Sequence, residues 1–187
     1  MSHYLDIHLR TDPELAAHHL LAALYLKLHQ ALVLLDNHEI AVSFPEYVAL
    51  PSSLGSCLRL IGAPVNLERL MTLNWLKGMR DHVSVGDMCE VPAHAEHRML
   101  RRVQAKSSPE RLRRRQMRRH GLDESQALAL VPDSVAEMLN LPFVQLASAS
   151  TGQTFRIYLR LGAPQALSSL GEFNTYGLSR SATTPWF

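Results

Sequence analysis

Apolar and polar residues alternate from Tyr4 to Arg10, with Leu5, Ile7 and Leu9 on one face, and this period of two predicts a strand. Asp12 then supplies a cap and Pro13 a first turn. Leu15, His19, Leu20, Ala23, Leu24, Lys27, Leu28, Ala31, Leu32 and Leu35 recur at helical spacing as far as Asp36-Asn37. Ile40 to Phe44, closed by Pro45, and Leu58 to Gly62 predict two further strands. Asn66 caps a short helix running through Leu67, Leu70, Met71 and Trp75, and Val83 to Val85 predicts a weaker strand before Pro92. The order is βαββαβ. It predicts an α+β fold that opens with a ferredoxin-like domain, a scaffold that RNA-recognition domains share with many unrelated ones.

Met99 to Ala105 predicts a strand or an extended arm. A helix follows, delimited by Ser107 or Ser108 as cap, Pro109 in the first turn, Glu110 at the positive end of the dipole and Gly121 just past His120. Asp123 with Gln126 forms a capping box for a helix to Val131, and another helix spans Asp133 to Asn140 before Pro142. Phe143 to Ala149 and Thr154 to Leu161 flank Ser150-Thr151-Gly152-Gln153 and predict a β-hairpin, with Phe155, Ile157 and Leu159 on one face and Arg156, Tyr158 and Arg160 on the other. Phe173 to Leu178 predicts a last strand ahead of the tail Pro185-Trp186-Phe187. Tyr47 to Ser56 carries no recognisable chemistry and reads as a loop.

Composition changes this picture little: 187 residues with 47% hydrophobic and 19% charged residues suit a folded core. No apolar run approaches the roughly 18 residues of a membrane span. The opening residues MSHYLDIHLR place polar and charged groups where a signal peptide is apolar, so a cytoplasmic location is expected. Cys57 and Cys89 stand far apart and are expected to be small buried apolar residues.

Charge changes it considerably. Residues 1–94 carry six basic and ten acidic groups, net −4, whereas residues 95–187 carry thirteen and seven, net +6. Two domains with different tasks are expected, divided near Pro92 to Glu96. The stretch from Arg98 to His120 alone holds ten of the nineteen Lys and Arg residues against one acid. Such a run repels itself unless a polyanion neutralises it, which points to nucleic acid. Within the helix, Arg111, Arg114, Arg115, Arg118 and Arg119 fall at i, i+3, i+4, i+7 and i+8 and share one face.

Candidate chemistry is sparse. Ten histidines show no metal-binding pattern beyond His94-Ala95-Glu96-His97, and the adjacent His18 and His19 are expected on different sides of their helix. No GxSxG elbow, phosphate-binding loop or paired carboxylates support a hydrolase or triphosphatase of those kinds. His29, late in the first helix, and the hydroxyls of Ser148, Ser150, Thr151 and Tyr176 remain. With a basic helix these suffice for RNA cleavage without a metal, because the ribose 2′-OH is the nucleophile and the protein need only align it, deprotonate it and screen charge.

The segments SHYLDIHLR, KLHQALV, VSFP, RRVQAKSSPERLRRRQMRRHGL, LPFVQLASASTGQTFRIYLR, TYGLS and PWF span the chain, and in them it resembles the CRISPR-associated repeat-processing endoribonucleases of the type I-F (Yersinia-subtype) system. The resemblance implies that His29 is the general base, that Ser148 positions the 2′-OH and that Tyr176 orients the histidine. It places base readers at Arg102 and Gln104, the major-groove helix at Arg111 to His120, and the aromatic that stacks on the base of the stem at Phe155. Ser107, Arg111, Arg114, Arg115, Arg118, Arg119, His120 and Ser150 are the further RNA contacts expected. An arginine fork suits guanine and a glutamine amide suits adenine. A deep, narrow A-form groove favours a short stem-loop with an open groove end as ligand.

On this basis residues 1–94 form the ferredoxin-like domain carrying His29, and residues 95–187 an α+β domain that recognises the RNA stem-loop. The expected reaction gives a 2′,3′-cyclic phosphate and a 5′-OH with no cofactor and no metal. The expected partners are the CRISPR repeat RNA and the other subunits of the type I-F surveillance complex, with no membrane, and the product is expected to stay bound. One feature departs from the wider superfamily: Gly171 and Gly177 stand apart where a glycine-rich loop would be. Two alternatives stand beside this reading, a non-catalytic RNA hairpin-binding protein and a DNA-binding regulator.

Overall fold

The structure, a computed structural model, describes residues 1–104, 109–133, 139–147 and 152–187. The alternation at the start of the chain forms β1 (His3–Leu9), and the first helical pattern forms α1 (Ala17–Leu35). Then come β2 (Ala41–Ser43), β3 (Cys57–Gly62), α2 (Pro64–Thr72), β4 (Val83–Val85) and the short β5 (Cys89–Glu90). The sheet runs β2-β3-β1-β4, with β5 also pairing β1 and every pair antiparallel. Each helix therefore links two strands separated by a third. The protein is α+β.

Three local expectations shift. Asp12 does cap, accepting from the amides of Glu14 and Leu15, but it closes only a turn, and α1 begins at Ala17. The buried stripe of α1 is Leu20, Leu21, Leu24, Tyr25, Leu28, Ala31 and Leu32, rotated from the expected one because the helix also packs on a second sheet. In α2, Pro64 occupies the first turn and Asn66 lies inside the helix, where its amide donates to Glu39 Oε2 at 2.6 Å. A proline at the first helical position is the stronger start signal, since its missing N–H has no partner there in any case.

The second half begins with β6 (Glu96–Arg98) and β7 (Leu100–Val103). After two helices, β8 (Phe143–Ala147) and β9 (Thr154–Leu161) pair antiparallel, and β7 joins β9 on its other side. Leu100, Val144, Leu146, Ile157 and Leu159 are buried in the same apolar cluster as α1 and the inner face of the first sheet. Tyr158, expected on the opposite face from Ile157, is buried as well. The last strand is β10 (Thr184–Trp186), paired with β6, so the expected tail is structured.

The predicted strand Phe173 to Leu178 is instead a turn. Gly177 donates its N–H to the Asn174 carbonyl at 2.8 Å, and Gly177 lies at φ +67°. Asparagine first and glycine fourth is a β-turn signature that outweighs the apolar alternation.

The outer face of the first sheet is covered by the chain itself. Ala41 and Ile61 pack against Phe173 and Ala182, with Tyr4 alongside. Arg59 donates to both Asp6 oxygens at 2.7 and 2.8 Å and to the Phe187 carbonyl at 2.8 Å, and its guanidinium lies 3.9 Å from the Phe187 ring centroid. This face, open in many sheets that bind RNA, is occupied. Cys57 is buried as expected, but Cys89 is exposed because β5 is a two-residue edge strand.

Contacts divide the chain into two compact units, residues 1–103 with 141–187, and residues 104–140. This division falls elsewhere than the expected boundary near residue 94, because β7, β8 and β9 share the core of α1. The smaller unit holds α3 (Pro109–His120) and α4 (Glu124–Leu130). Asp123 makes the full capping box with Gln126, and Gly121, at φ +64°, donates to the Met117 carbonyl as a helix stop. The helix expected over Asp133 to Asn140 lies largely outside the described residues.

Although the chain was expected to hold no run of membrane-spanning length, α1 is long and apolar enough to cross a membrane by length and composition. Its apolar side is instead buried in the core.

Candidate active site

Tyr25 and His29 lie four residues apart in α1, one turn, and so face the same way. Both meet the turn 173–178. His29 Nδ1 lies 2.9 Å from the Thr175 carbonyl oxygen, and Tyr25 donates its hydroxyl to the Tyr176 carbonyl at 2.8 Å. A carbonyl only accepts, so Nδ1 carries the proton and neutral His29 keeps a lone pair on Nε2. The Tyr176 ring stacks on the His29 ring at 3.8 Å between centroids and 7° between planes. The base predicted from sequence is thus a half-buried imidazole fixed at one nitrogen and on one face.

Three further hydrogen bonds hold the turn. Asn174 Oδ1 accepts from the Tyr176 amide at 2.8 Å and from the Leu178 amide at 3.3 Å. Val42 in β2 donates its N–H to the Gly177 carbonyl at 3.0 Å. A Cβ on Gly177 would lie 2.6 Å from Val42 Cγ1 and 3.0 Å from Val42 N. Glycine is required there twice over, for its positive φ and for this close approach.

Arg102 in β7 joins the same neighbourhood. Its guanidinium lies 6.0 Å from the centroid of the Phe155 ring, and its charge bears on both Tyr25 and Tyr176. Burial raises the Tyr176 phenol above its ordinary value and Arg102 partly opposes this; burial raises that of Tyr25 much further. Both phenols are therefore neutral donors across the usual pH range. Phe155, in β9 opposite Leu146, is half-buried against the edge of the core, so it is neither a free platform nor a fully inward residue.

Three predicted site residues, Ser107, Ser148 and Ser150, fall outside the described residues. In the smaller unit, Arg111, Arg114, Arg115, Arg118, Arg119 and His120 are exposed, and Gln104 lies in the same unit. Arg113 differs from its neighbours: its Nε donates to the Val131 carbonyl at 2.7 Å and its guanidinium pairs with Asp133. It lies off the stripe of Arg111, Arg114, Arg115, Arg118 and Arg119, and its fastening role needed the fold. Arg98, part of the same charged run, is likewise tied, donating to the Gly162 carbonyl.

Metal-ligating atoms gather once among the described residues, in Asp6, His8 and Cys57, all within 4.8 Å of one another. Arg59 already occupies both Asp6 oxygens, and burial, aided by Asp6, pushes the Cys57 thiol up to about 12. A guanidinium neighbour and a protonated thiol make a poor cation site, and the trio is better explained as part of the buried ion pair. The His18 and His19 rings, expected apart, lie 4.1 Å from each other on the exposed side of α1.

Tyr25, Asn174 and Gly177 escaped the reading of the sequence. An Asn-Thr-Tyr-Gly turn was legible in the residue types, but the contact of Tyr25 with it spans 151 positions and leaves no local signal.

Together these features define an α+β protein with a histidine–tyrosine site in one unit and an exposed arginine helix in the other. The chain belongs to the CRISPR-associated Cas_Csy4 family, whose profile matches residues 4–187. It is 49% identical over 187 residues to the CRISPR-associated endonuclease Cas6/Csy4 of Pseudomonas aeruginosa (strain UCBPP-PA14), covering all of both chains. It is 38% identical over the same length to the protein of that name from Escherichia coli (strain UTI89 / UPEC), again covering both completely. The family indicated by the sequence motifs is the family found.

Proposed function

We propose that this protein is the endoribonuclease that cuts CRISPR precursor RNA at the base of the repeat stem-loop. The observation that carries the reading is the 2.9 Å contact between His29 Nδ1 and the Thr175 carbonyl, an acceptor that keeps the imidazole proton on Nδ1 and leaves the Nε2 lone pair for the 2′-OH. In the proposed reaction Nε2 takes the proton of the 2′-OH, the freed oxygen attacks the adjacent phosphorus in line, and the bond to the 5′-oxygen breaks. The leaving 5′-oxygen takes a proton from water and His29 returns its extra proton to solvent, giving a 2′,3′-cyclic phosphate and a 5′-OH. Ser148 positions the attacking hydroxyl, Tyr176 steadies the ring, and no step draws on a metal.

Recognition is assigned to the basic half of the chain, residues 95–187, with residues 1–94 as the ferredoxin-like half carrying the base. Arg102 and Gln104 read bases, Phe155 meets the end of the stem, and the α3 arginines with His120, Ser107 and Ser150 hold phosphates. Phosphate contacts by these arginines would favour retention of the product, which suits assembly with the other subunits of a type I-F complex, and the protein is proposed to work in the cytoplasm.

The decisive experiment incubates the protein with its cognate repeat RNA in a metal chelator. Full cleavage by wild type, none by His29→Ala with binding kept, and none of RNA carrying 2′-deoxyribose at the cut site are the expected results. Chelator-sensitive cleavage would overturn the metal-free scheme. RNA shifted but never shortened would instead identify a binding protein, and equal preference for duplex DNA a regulator.

A further inference from the structure

We infer that Tyr25 and Asn174 are positioning residues for His29: by fixing the turn 173–178 they place the Thr175 carbonyl that selects the imidazole tautomer used as the base. This deepens the ribonuclease reading above and rests on it. Neutral imidazole in water exchanges freely between two tautomers, and only the one protonated at Nδ1 leaves Nε2 able to accept a proton. The selecting group here is a main-chain carbonyl. Its placement therefore depends on whatever fixes the backbone of the turn.

Two side chains do this. Tyr25 is fully buried and holds the Tyr176 carbonyl at 2.8 Å, the peptide next to the one that holds His29. Because Tyr25 and His29 share one face of α1, the helix grips two successive carbonyls, Tyr176 and Thr175, with two side chains one turn apart. Asn174 is exposed and braces the turn from within, accepting from the amides of Tyr176 and Leu178. The stacked Tyr176 ring fixes the plane of the imidazole but offers nothing that distinguishes its two nitrogens. Orientation and tautomer thus have separate sources. The Tyr25 hydroxyl has no path to the reacting atoms, being fully buried, so it acts through His29 alone.

The experiment measures the tautomer and the chemistry separately, on full-length protein. Long-range 1H–15N correlation spectra of the RNA-free protein, recorded at alkaline pH, report which ring nitrogen is protonated. Wild type is expected to show Nδ1–H. Tyr25→Phe and Asn174→Ala should each give a mixture of tautomers and a single-turnover cleavage rate lowered about tenfold, with the Kd for the repeat RNA within about twofold of wild type. Asn174→Ala alters an exposed side chain and provides the test if Tyr25→Phe does not fold. Unchanged tautomer in both variants, unchanged rate despite a mixed tautomer, or loss of binding equal to the loss of rate would each overturn the inference. Cleavage persisting in His29→Ala would instead overturn His29 as the base, and RNA bound but never cut by wild type would overturn the ribonuclease reading, while the spectra would still report which nitrogen of His29 is protonated.

Discussion

His29 shows what a residue type in a sequence reveals and what it withholds. A histidine late in a long helix, in a chain with an arginine run, is a fair base candidate. Nothing local says which nitrogen is free, because the group that decides it sits 146 positions away. The residues by themselves offered Tyr176 only as a hydroxyl, and the family resemblance added that it orients the histidine. In the fold its ring is the part in contact, stacked on His29, while burial raises its phenol and keeps it neutral near pH 7 and well above. Tyr176→Phe should therefore retain most of the cleavage rate and an unchanged alkaline limb in the pH–rate profile. Tyr176→Ala removes a stacking contact of about 1 kcal/mol and should slow single-turnover cleavage by several-fold to tenfold. A large loss in the phenylalanine variant would assign the hydroxyl a direct role. Gly177→Ala meets Val42 and a positive φ together, so it should both lower the melting temperature and reduce cleavage; calorimetry beside the rate assay checks this.

Among the elements, α3 was the most legible, since charge, caps and phase all pointed the same way and no tertiary contact had to be known. Its 12 residues extend about 18 Å at 1.5 Å per residue, long enough to follow several phosphates. Replacing Arg115 and Arg119 together by alanine should flatten the plot of log binding constant against log salt by about two units, as each phosphate contact releases roughly one counterion. Arg113→Ala should leave that slope in place and instead destabilise the helix pair, because its guanidinium is held by Val131 and Asp133. Isothermal binding at several salt concentrations separates the two.

The capping box of α4 adds a pH dependence. Backbone hydrogen bonding from Gln126, with Ser125, lowers the Asp123 pKa, so the cap stabilises fully above the ordinary carboxylate range. It is lost as pH falls through the depressed folded value. Amide exchange at Gln126 should rise over that acidic window, and Asp123→Asn should remove the dependence. The boundaries of α1 and α2 were less legible, because Asp12 and Asn66 carry residue types that cap equally well in turns.

At the scale of the whole molecule, α1 is the shared wall of one core, with Leu24 and Leu28 fully buried in the cluster that takes in both the first sheet and the β7-β9-β8 sheet. Leu28→Ala should cost about 2–5 kcal/mol and lower the unfolding midpoint reported by probes on either sheet alike. Separate transitions would mean that the core is not shared. This sharing also explains why a boundary drawn from charge near residue 94 does not match the division of contacts: charge reports surface, and packing follows the interior. The residues alone were enough for the α+β class, the opening βαββαβ order, the exposed basic face of α3 and the family, because periodicity, caps and motif residues act over a few positions. Tertiary packing was needed to show that the tail covers the outer face of the sheet and that Tyr25 and His29 meet successive carbonyls of the turn 173–178. Those outcomes depend on which distant backbone groups can be satisfied together, and a hydrogen bond across 146 residues has no period to be read.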